Sequence, residues 1–351
     1  MKKIPVAVLG ATGAVGQRMV LLLASHPWFE IVQVCASEKN EGKSYADAVS
    51  WLLPDPVPSA VRSMVLTSPK LASQAKMAFS ALDSGIALSI EKKWAEEGVA
   101  VVTNAAPHRV DPTVPLVVPE VNPDHIALVE RQGFPLGGMI VANPNCVTIG
   151  LTLALKPLID CFGIKSVMVT TFQATSGAGF PGVPSLSILD NIVPNIPGEE
   201  EKIENEPKKI FARFDGAELH YSSIQISAAS ARVPLLEGHL KAVSVKLSTK
   251  VTIDTVQEAF CNYRFPLKDF SLPSSPKQPL RFFSEQTFPQ PRLHRMTDNG
   301  MSISVGALRP CSVGDIKFFT LSHNTIRGAA GGSILLGELL TKVSQHLINT
   351  I

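Results

Sequence analysis

Over the first 140 residues, short apolar runs alternate with segments whose apolar positions recur every three or four residues. "IPVAVLG" is a β-rich run that stops at a glycine, "ATGAVG" follows, and "QRMVLLLASHP" continues at helical spacing. "EIVQVCAS", "MAFSAL", "VAVVTNAA" and "PLVVPEVN" predict further strands, and "DSGIALSIEKKWAEEG" predicts a helix among them. Strands alternating with helices in this way imply a mainly parallel sheet. From residue 165 the β-rich runs lengthen: "SVMVTTFQATSGAG", "AVSVKLSTKVTI", "SISVGALRPC" and "DIKFFTLS". These predict an antiparallel or mixed sheet, with helices such as "TVQEAFCNYR" on one face. In the last segment Ile334, Leu335, Leu339, Leu340 and Val343 share a helical stripe, which predicts a helix that returns to the first half.

The chain of 351 residues is 45% hydrophobic and carries a formal net charge of +2, enough for two domains with their own cores. Near-neutral charge gives no reason to expect nucleic acid or an anionic membrane as partner, and no apolar stretch approaches a membrane span. The lysine-led start is interrupted at once by a glycine-rich turn and lacks a small-residue cleavage site, so no secretory leader is expected. The cysteines, at 35, 146, 161, 261 and 311, are odd in number, scattered and without a CxxC pair. They argue against a disulfide framework or a zinc site, and for a reducing cytoplasm with no metal centre.

The first turn carries chemistry. Gly10, Gly13 and Gly16 are spaced GxxGxxG between a strand and a helix, the order that a dinucleotide site needs. Gly13 would let the backbone approach a pyrophosphate, and the following helix N-terminus would offer it free N–H donors. The next strand ends at Ala36-Ser37, followed by Glu38, Lys39 and Lys43. A hydroxyl with nearby lysines suits a 2′-phosphate and favours NADP over NAD; one register shift would instead put Glu38 at the acidic position typical of NAD sites.

"VANPNCVTIG" raises a second question. Asn143 and Asn145 are good N-cap residues, so Cys146 is expected in the first turn of a buried helix. There the helix dipole should lower the thiol pKa, although an inert core cysteine has the same local sequence. "TNAAPHRVDP" follows a strand end and carries Asn104 and Arg109. Residues 176–207, rich in Gly and Pro, are expected to form an ordered functional excursion, and the mixed charges of 199–209 mostly a solvated helix face. "RVPLLEGH" places Arg232 and His239 seven apart, just before a strand, where a lone histidine is more often structural than catalytic.

Taken together, "GATGAVG", "TNAAPHR", "PLVVPEVN", "NPNC", "QATSGAG", "GEEEKIENEPKKI", "RVPLLEGH" and "HNTIRGAAGG" resemble, in order and over essentially the whole length, the aspartate-β-semialdehyde dehydrogenase family, its archaeal and fungal branch above all. The resemblance implies an α/β fold: a Rossmann-type parallel-sheet domain over 1–145, an α+β catalytic and oligomerisation domain with a mixed or antiparallel sheet over 146–324, and a helix in 325–351 that completes the first. It implies Cys146 as nucleophile and His239 as acid–base group. Gln173, Glu206 and Arg232 would hold the substrate, and Asn104, Arg109 and Lys209 phosphate. The cofactor set would be Gly10, Thr12, Gly13, Ala14, Val15, Gly16, Ser37, Lys39, Ser176, Gly177 and Asn324. The implied reaction is the NADP-dependent, reversible conversion of β-aspartyl phosphate to L-aspartate 4-semialdehyde and inorganic phosphate, feeding lysine, methionine and threonine synthesis. A homodimer or homotetramer is implied as well. Val147 stands where the family often has Ser or Thr, and the 37–43 loop lacks the commoner arginine.

The residue chemistry is consistent with that reaction. Phosphorylating an aldehyde needs a covalent acyl intermediate, and cysteine is both a good nucleophile and a good leaving group. Histidine handles protons near neutrality, and arginine grips carboxylate or phosphate with a planar fork. A malonyl-CoA reductase built on the same parts would not need the Arg232, Glu206, Arg109 and Lys209 set. N-acetyl-glutamyl-phosphate reductase would have no use for Glu206, and a non-catalytic NADP-binding redox sensor would not retain both histidine and arginine.

Overall fold

The computed structural model describes residues 2–70, 74–216 and 218–343. β1 (Ile4–Leu9), β2 (Phe29–Cys35), β3 (Met77–Ser80), β4 (Ala100–Thr103) and β5 (Met139–Ala142) form one parallel sheet in the order β2-β1-β3-β4-β5. β3 and β5 are buried at every position, as parallel strands covered on both faces must be. The helix Ser84–Glu96 covers one face through Ala87, Ile90 and Trp94. On the other face lie the helix Ala14–Leu23 and, beside it, the last described helix, Gly331–Val343. Ile334, Leu335, Leu339 and Leu340 join Val6, Val8 and Phe79 in one core, so the expected return of the chain end to the first sheet is observed. Val343, assigned to the same stripe, is instead exposed. Residues 344–351 of the expected 325–351 segment lie outside the described residues.

The second sheet is built from β6 (Ile164–Gln173), β7 (Val193–Pro194), β10 (Gln225–Arg232), β11 (His239–Leu247), β12 (Leu280–Phe283), β13 (Ile303–Pro310) and β14 (Ile316–Ser322); β8 (Arg213–Phe214) and β9 (Leu219–His220) form a separate hairpin. Its order is β12-β13-β14-β11-β6-β10-β7, with β6–β10 and β12–β13 parallel and the other pairs antiparallel. This is the mixed sheet that the longer β-rich runs predict. The helices Cys146–Phe162, Glu199–Ile210 and Ile253–Asn262 cover one face.

Along that covered face the side chains change character. Val243, Val245 and Leu247 of β11 pack with Val167 and Val169 of β6 and Ile316 and Phe318 of β14. One or two residues further along the same face stand Thr171 and Gln173, His239 and Lys241, and Thr320 and Ser322, all buried. Period-2 alternation therefore puts a polar cluster at one end of an otherwise apolar face, under the start of the Cys146–Phe162 helix.

One predicted strand is absent. "PLVVPEVN" makes a single bridge between Leu116 and Ala142, and then turns at Pro119. Pro115 and Pro119 remove the N–H groups that a ladder would need, and the Asn122 side chain caps the turn by accepting from Val118 N–H at 2.9 Å. The edge strand beside β4 comes from "MIVA", not from this run. The turn places Glu120 against Arg327: both are fully buried and joined by two parallel N–H···O bonds of 2.8 and 2.5 Å. This fork ties the loop to the π-helical turn Ile326–Ala330 that leads into the last helix.

Candidate active site

Asn143, Pro144 and Asn145 carry the chain from β5 into the helix Cys146–Phe162. Asn145 is the N-cap, its side-chain oxygen accepting from Val147 N–H at 2.8 Å and Thr148 N–H at 3.4 Å. Its own backbone N–H donates to Glu206 Oε2 at 2.7 Å. Cys146 thus occupies the first helical position, half-buried. Gly328, from the π-helical turn, walls it in: a Cβ there would lie 2.7 Å from Cys146 Cβ. Three distant segments therefore meet at one cysteine.

His239 and Arg232 face the same space. His239 Nδ1 accepts the Ala174 backbone N–H at 3.1 Å, which fixes the ring proton on Nε2. That Nε2 is buried with no partner. Arg232 Nη1 donates to Ala174 O at 2.9 Å. Gly177 sits over both side chains; a Cβ there would approach Arg232 Nη1 to 2.7 Å and His239 Nε2 to 3.2 Å. Gln173 closes the group, its Nε2 donating to Thr171 Oγ1 at 3.3 Å and Glu199 Oε2 at 3.5 Å.

The remaining expected site residues are already paired. Arg109 Nη1 donates to Glu206 Oε1 at 3.0 Å, and its Nη2 to Asn104 O at 2.6 Å. Arg232 does not touch Glu206; the arginine that does is Arg109. The Asn104 side chain joins Ser80 O, Asn143 and Ser333. Lys209 donates to the carbonyls of Arg109, Asp111 and Val114, at 3.0, 2.5 and 2.8 Å. Its ammonium donors thus hold the loop that carries Arg109. Burial brings its pKa down to about 8.

The electrostatics correct one expectation. Burial pushes the Cys146 thiol up to about 12, and Glu199 adds to the rise; Arg109, Lys241 and Arg232 pull the other way without overcoming it. Desolvation thus outweighs the helix terminus. Burial, with Lys241, Arg232 and His323 nearby, holds His239 well below its ordinary value, so the ring is neutral.

At the first sheet, the glycine turn behaves as its spacing implies. Gly10 has φ of 76°, and a Cβ at Gly16 would lie 2.1 Å from Gly10 O, so the helix Ala14–Leu23 packs directly on the turn. Gly13, its N-cap, has no side-chain cap and only Gly10 O near its Cβ direction. Thr12, Ala14 and Val15 follow the same turn into the helix. Ala14 and Ser176 line one cavity of about 340 Å³ with Arg18, Phe180, Glu237 and Thr325. Asn324 stitches its far wall, accepting from Gly238 N–H and donating to Ser176 Oγ, both at 2.8 Å. At the tip of β2, Ser37 and Lys39 are exposed, while Glu38 is tied to Lys70 at 2.6 Å. These residues fit a dinucleotide: open backbone donors at a helix N-terminus, then a hydroxyl and a free cation at the strand end.

Three groups escape a reading of the sequence. Glu199, within a charge run expected to be solvated, is mostly buried and accepts from Asn145 Nδ2 at 3.0 Å. Its neighbours Glu200 and Glu204 accept the backbone N–H groups of Ser230 and Ala228 along β10. Gly198 before them, with φ of 69°, was the available signal of a helix start. Lys241 is fully buried beneath Gly150. Glu237 holds Arg18 at 2.7 Å and Thr325 at 3.1 Å, and Arg18 and His323 help to bring its pKa down to about 2. Among the described residues, no group of His, Cys, Asp and Glu could hold a metal ion.

The family model described as "Semialdehyde dehydrogenase, NAD binding domain" matches residues 5–129, and the one described as "Semialdehyde dehydrogenase, dimerisation domain" matches 155–327. The aspartate-semialdehyde dehydrogenase of Archaeoglobus fulgidus is 46% identical over 96% of this chain and 98% of its own. The chain belongs to the aspartate-semialdehyde dehydrogenase family. The Schizosaccharomyces pombe enzyme of that name is 44% identical over 96% of this chain and 98% of its own, so the likeness to archaeal and fungal members is borne out. The crystal structure of the Candida albicans family member with NADP superposes with a TM-score of 0.89, at 40% identity over 97% of this chain and 99% of that one. The fold expected of the family, a parallel nucleotide-binding sheet with a mixed second sheet and a returning helix, is the fold observed.

Proposed function

We propose that the protein catalyses the NADP-dependent, phosphate-requiring oxidation of L-aspartate 4-semialdehyde to β-aspartyl phosphate, run in the cell as the reductive reverse in lysine, methionine and threonine synthesis. The observation that carries this reading is that Arg232 and the unpartnered His239 Nε2 meet beneath Gly177, while Arg232 acts electrostatically on Cys146. Cys146 Sγ attacks the aldehyde carbon and forms a thiohemiacetal. The bound nicotinamide supplies the hydride acceptor, and in reverse the donor. Cys146 then carries the acyl group as a thioester; a phosphate oxygen attacks its carbonyl, the C–S bond breaks, and the sulfur leaves as thiolate.

His239 acts as a donor. Its Nδ1 is engaged by Ala174 N–H and its Nε2 carries the proton, so it can hydrogen-bond the carbonyl oxygen as that oxygen gains charge. Arg232 offers its fork to the substrate carboxylate, and Gln173 orients the acyl group. Glu206, which holds Arg109 and Asn145 N–H, keeps lone pairs for the substrate amino group. Arg109 is the phosphate ligand with Asn104 beside it, and Lys209 positions its loop.

For the cofactor, the turn from Gly10 to Gly16 would hold the pyrophosphate and Ser37 with Lys39 the 2′-phosphate. Ser176, Gly177 and Asn324 would hold the nicotinamide end. NADP over NAD is supported by Lys70, which occupies Glu38, the acid an NAD enzyme would need free. We divide the chain into a nucleotide-binding part, 1–145 with 325–351, and a catalytic and oligomerisation part, 146–324. A homodimer or homotetramer is supported by the matching dimerisation domain and by the open face of the second sheet, where Met168 is 57% exposed. All five cysteines are free, which suits a reducing cytoplasm; no described helix is long and apolar enough to cross a membrane.

The test is an assay with aspartate 4-semialdehyde, phosphate and NADP⁺, alongside Cys146→Ser and a control without phosphate. Phosphate-dependent NADPH formation that the substitution removes is expected. Turnover only with malonyl-CoA and NADPH, or cofactor binding without any turnover, would overturn the reading.

A further inference from the structure

The proposed reaction needs Cys146 as a thiolate, and burial works against that charge. The resting His239 ring is neutral and brings it no compensating charge. We propose that Lys241 is the counter-cation of Cys146, a positioning residue whose buried ammonium supplies the positive charge that the ionised thiol requires. The inference rests on the reading of Cys146 as nucleophile.

Five observations carry it. Lys241 is fully buried on the covered face of β11, two residues beyond His239. Its cross-strand neighbours on that face are Thr171 and Thr320, neither of which brings charge. Among the described residues no carboxylate lies within 4.0 Å of its Nζ, whereas a lysine buried to this degree is ordinarily paired. Its ammonium has three donors, and the acceptors it meets are neutral: Ser322 Oγ at 2.8 Å and His239 O at 3.3 Å. Finally, Nζ reaches under the helix at Gly150, one turn beyond Cys146 on the same side, where a Cβ would come within 2.7 Å of it. Glycine at 150 is what lets the ammonium approach the nucleophile's helix.

The charges around the pair leave Lys241 this role. Arg109 and Arg232 also act on Cys146, but Arg109 is matched by Glu206, and Arg232 faces the substrate side with Glu199 acting on it. Glu199, which disfavours the thiolate, His239 and His323 are the other titratable neighbours, and His239 is neutral. Burial brings the Lys241 pKa down to about 7, and Cys146 is the one group that raises it, so each favours the charged form of the other. Ionising one member stabilises the ion of the other.

The test is the pH profile of iodoacetamide alkylation at Cys146, followed by mass spectrometry of the peptide that bears it. It would be run on the wild type, Lys241→Met, Lys241→Gln and Ser322→Ala, each checked for a native circular-dichroism spectrum and for NADP⁺ binding. Loss of the cation should move the midpoint up by about one pH unit or more, and slow alkylation at pH 8 about tenfold. Ser322→Ala, which keeps the charge and removes one hydrogen bond, should leave the midpoint within a few tenths of a unit. Unchanged midpoints in folded Lys241 variants would overturn the inference, as would an equal shift in Ser322→Ala. Should neither Lys241 variant fold, Cys146→Asp in the native background must melt no lower than Cys146→Asn, and a lower melting temperature would count against the counter-cation. Failure of the underlying reading is a separate result: it would appear as turnover surviving in Cys146→Ser.

Discussion

The two ends of the proposed reaction path are built by different means. At the first sheet the site is mainly backbone: a turn held by Gly10, Gly13 and Gly16, with the N-terminus of the Ala14–Leu23 helix left uncapped. At the second sheet it is mainly side chain: Cys146, Gln173, Arg232 and His239 arrive from four elements, Cys146 placed by the Asn145 cap and the others by hydrogen bonds to Thr171 and to the Ala174 backbone. A backbone site needs space, so its signature is where Cβ atoms are missing. A side-chain site needs anchors, so much of its determination lies in residues that never reach the ligand.

Substitutions can break that contrast in graded steps. Cys146→Ser should lower turnover by on the order of 10⁴-fold while cofactor affinity and melting temperature stay close to wild type, checked by assay, titration and calorimetry. Glu120→Ala should act through the anchors, because it strands the fully buried Arg327. A loss of about 3–5 kcal/mol is expected in denaturant unfolding, whereas a value under about 1 kcal/mol would mean that the fork does not hold the π-helical turn. Gly177→Ala presses a methyl group onto Arg232 and His239. Its kcat/KM should fall about 100-fold with little change in stability, since displacements of about 1 Å in a site cost that much. The smallest effect belongs to an exposed side chain: Lys39→Ala should weaken NADP⁺ binding by at most about tenfold and leave NAD⁺ binding unchanged.

What could be read from the chain alone follows the same division. The glycine turn, the parallel strands and the returning helix are written in local periodicity, and they stand as read. Cys146 at a helix start was also local, since Asn145 is a cap wherever it precedes a helix. Its acidity was not: the terminus favours the thiolate, but how deeply the thiol is enclosed depends on Gly328, 182 positions away in the chain. The resemblance implied a phosphate role for Lys209; that the loop from Arg109 to Val114 folds around its Nζ was not legible in the sequence. The run 199–204 looked solvated because charge usually is. Its carboxylates instead accept unpaired N–H groups from β10, a demand invisible until that strand has a position. "PLVVPEVN" misled in the other direction, with strand-like side chains on a backbone deprived of donors by two prolines.

The account turns on whether Cys146 carries the acyl group between the two halves of the reaction. The most direct measurement is rapid mixing of the enzyme with aspartate 4-semialdehyde and NADP⁺ in the absence of phosphate, followed by acid quench and peptide mass spectrometry. A burst of about one NADPH per active site, with an aspartyl thioester on Cys146 that disappears when phosphate is added, is the expected result. NADPH formation with no adduct, or an adduct on another residue, would contradict the account.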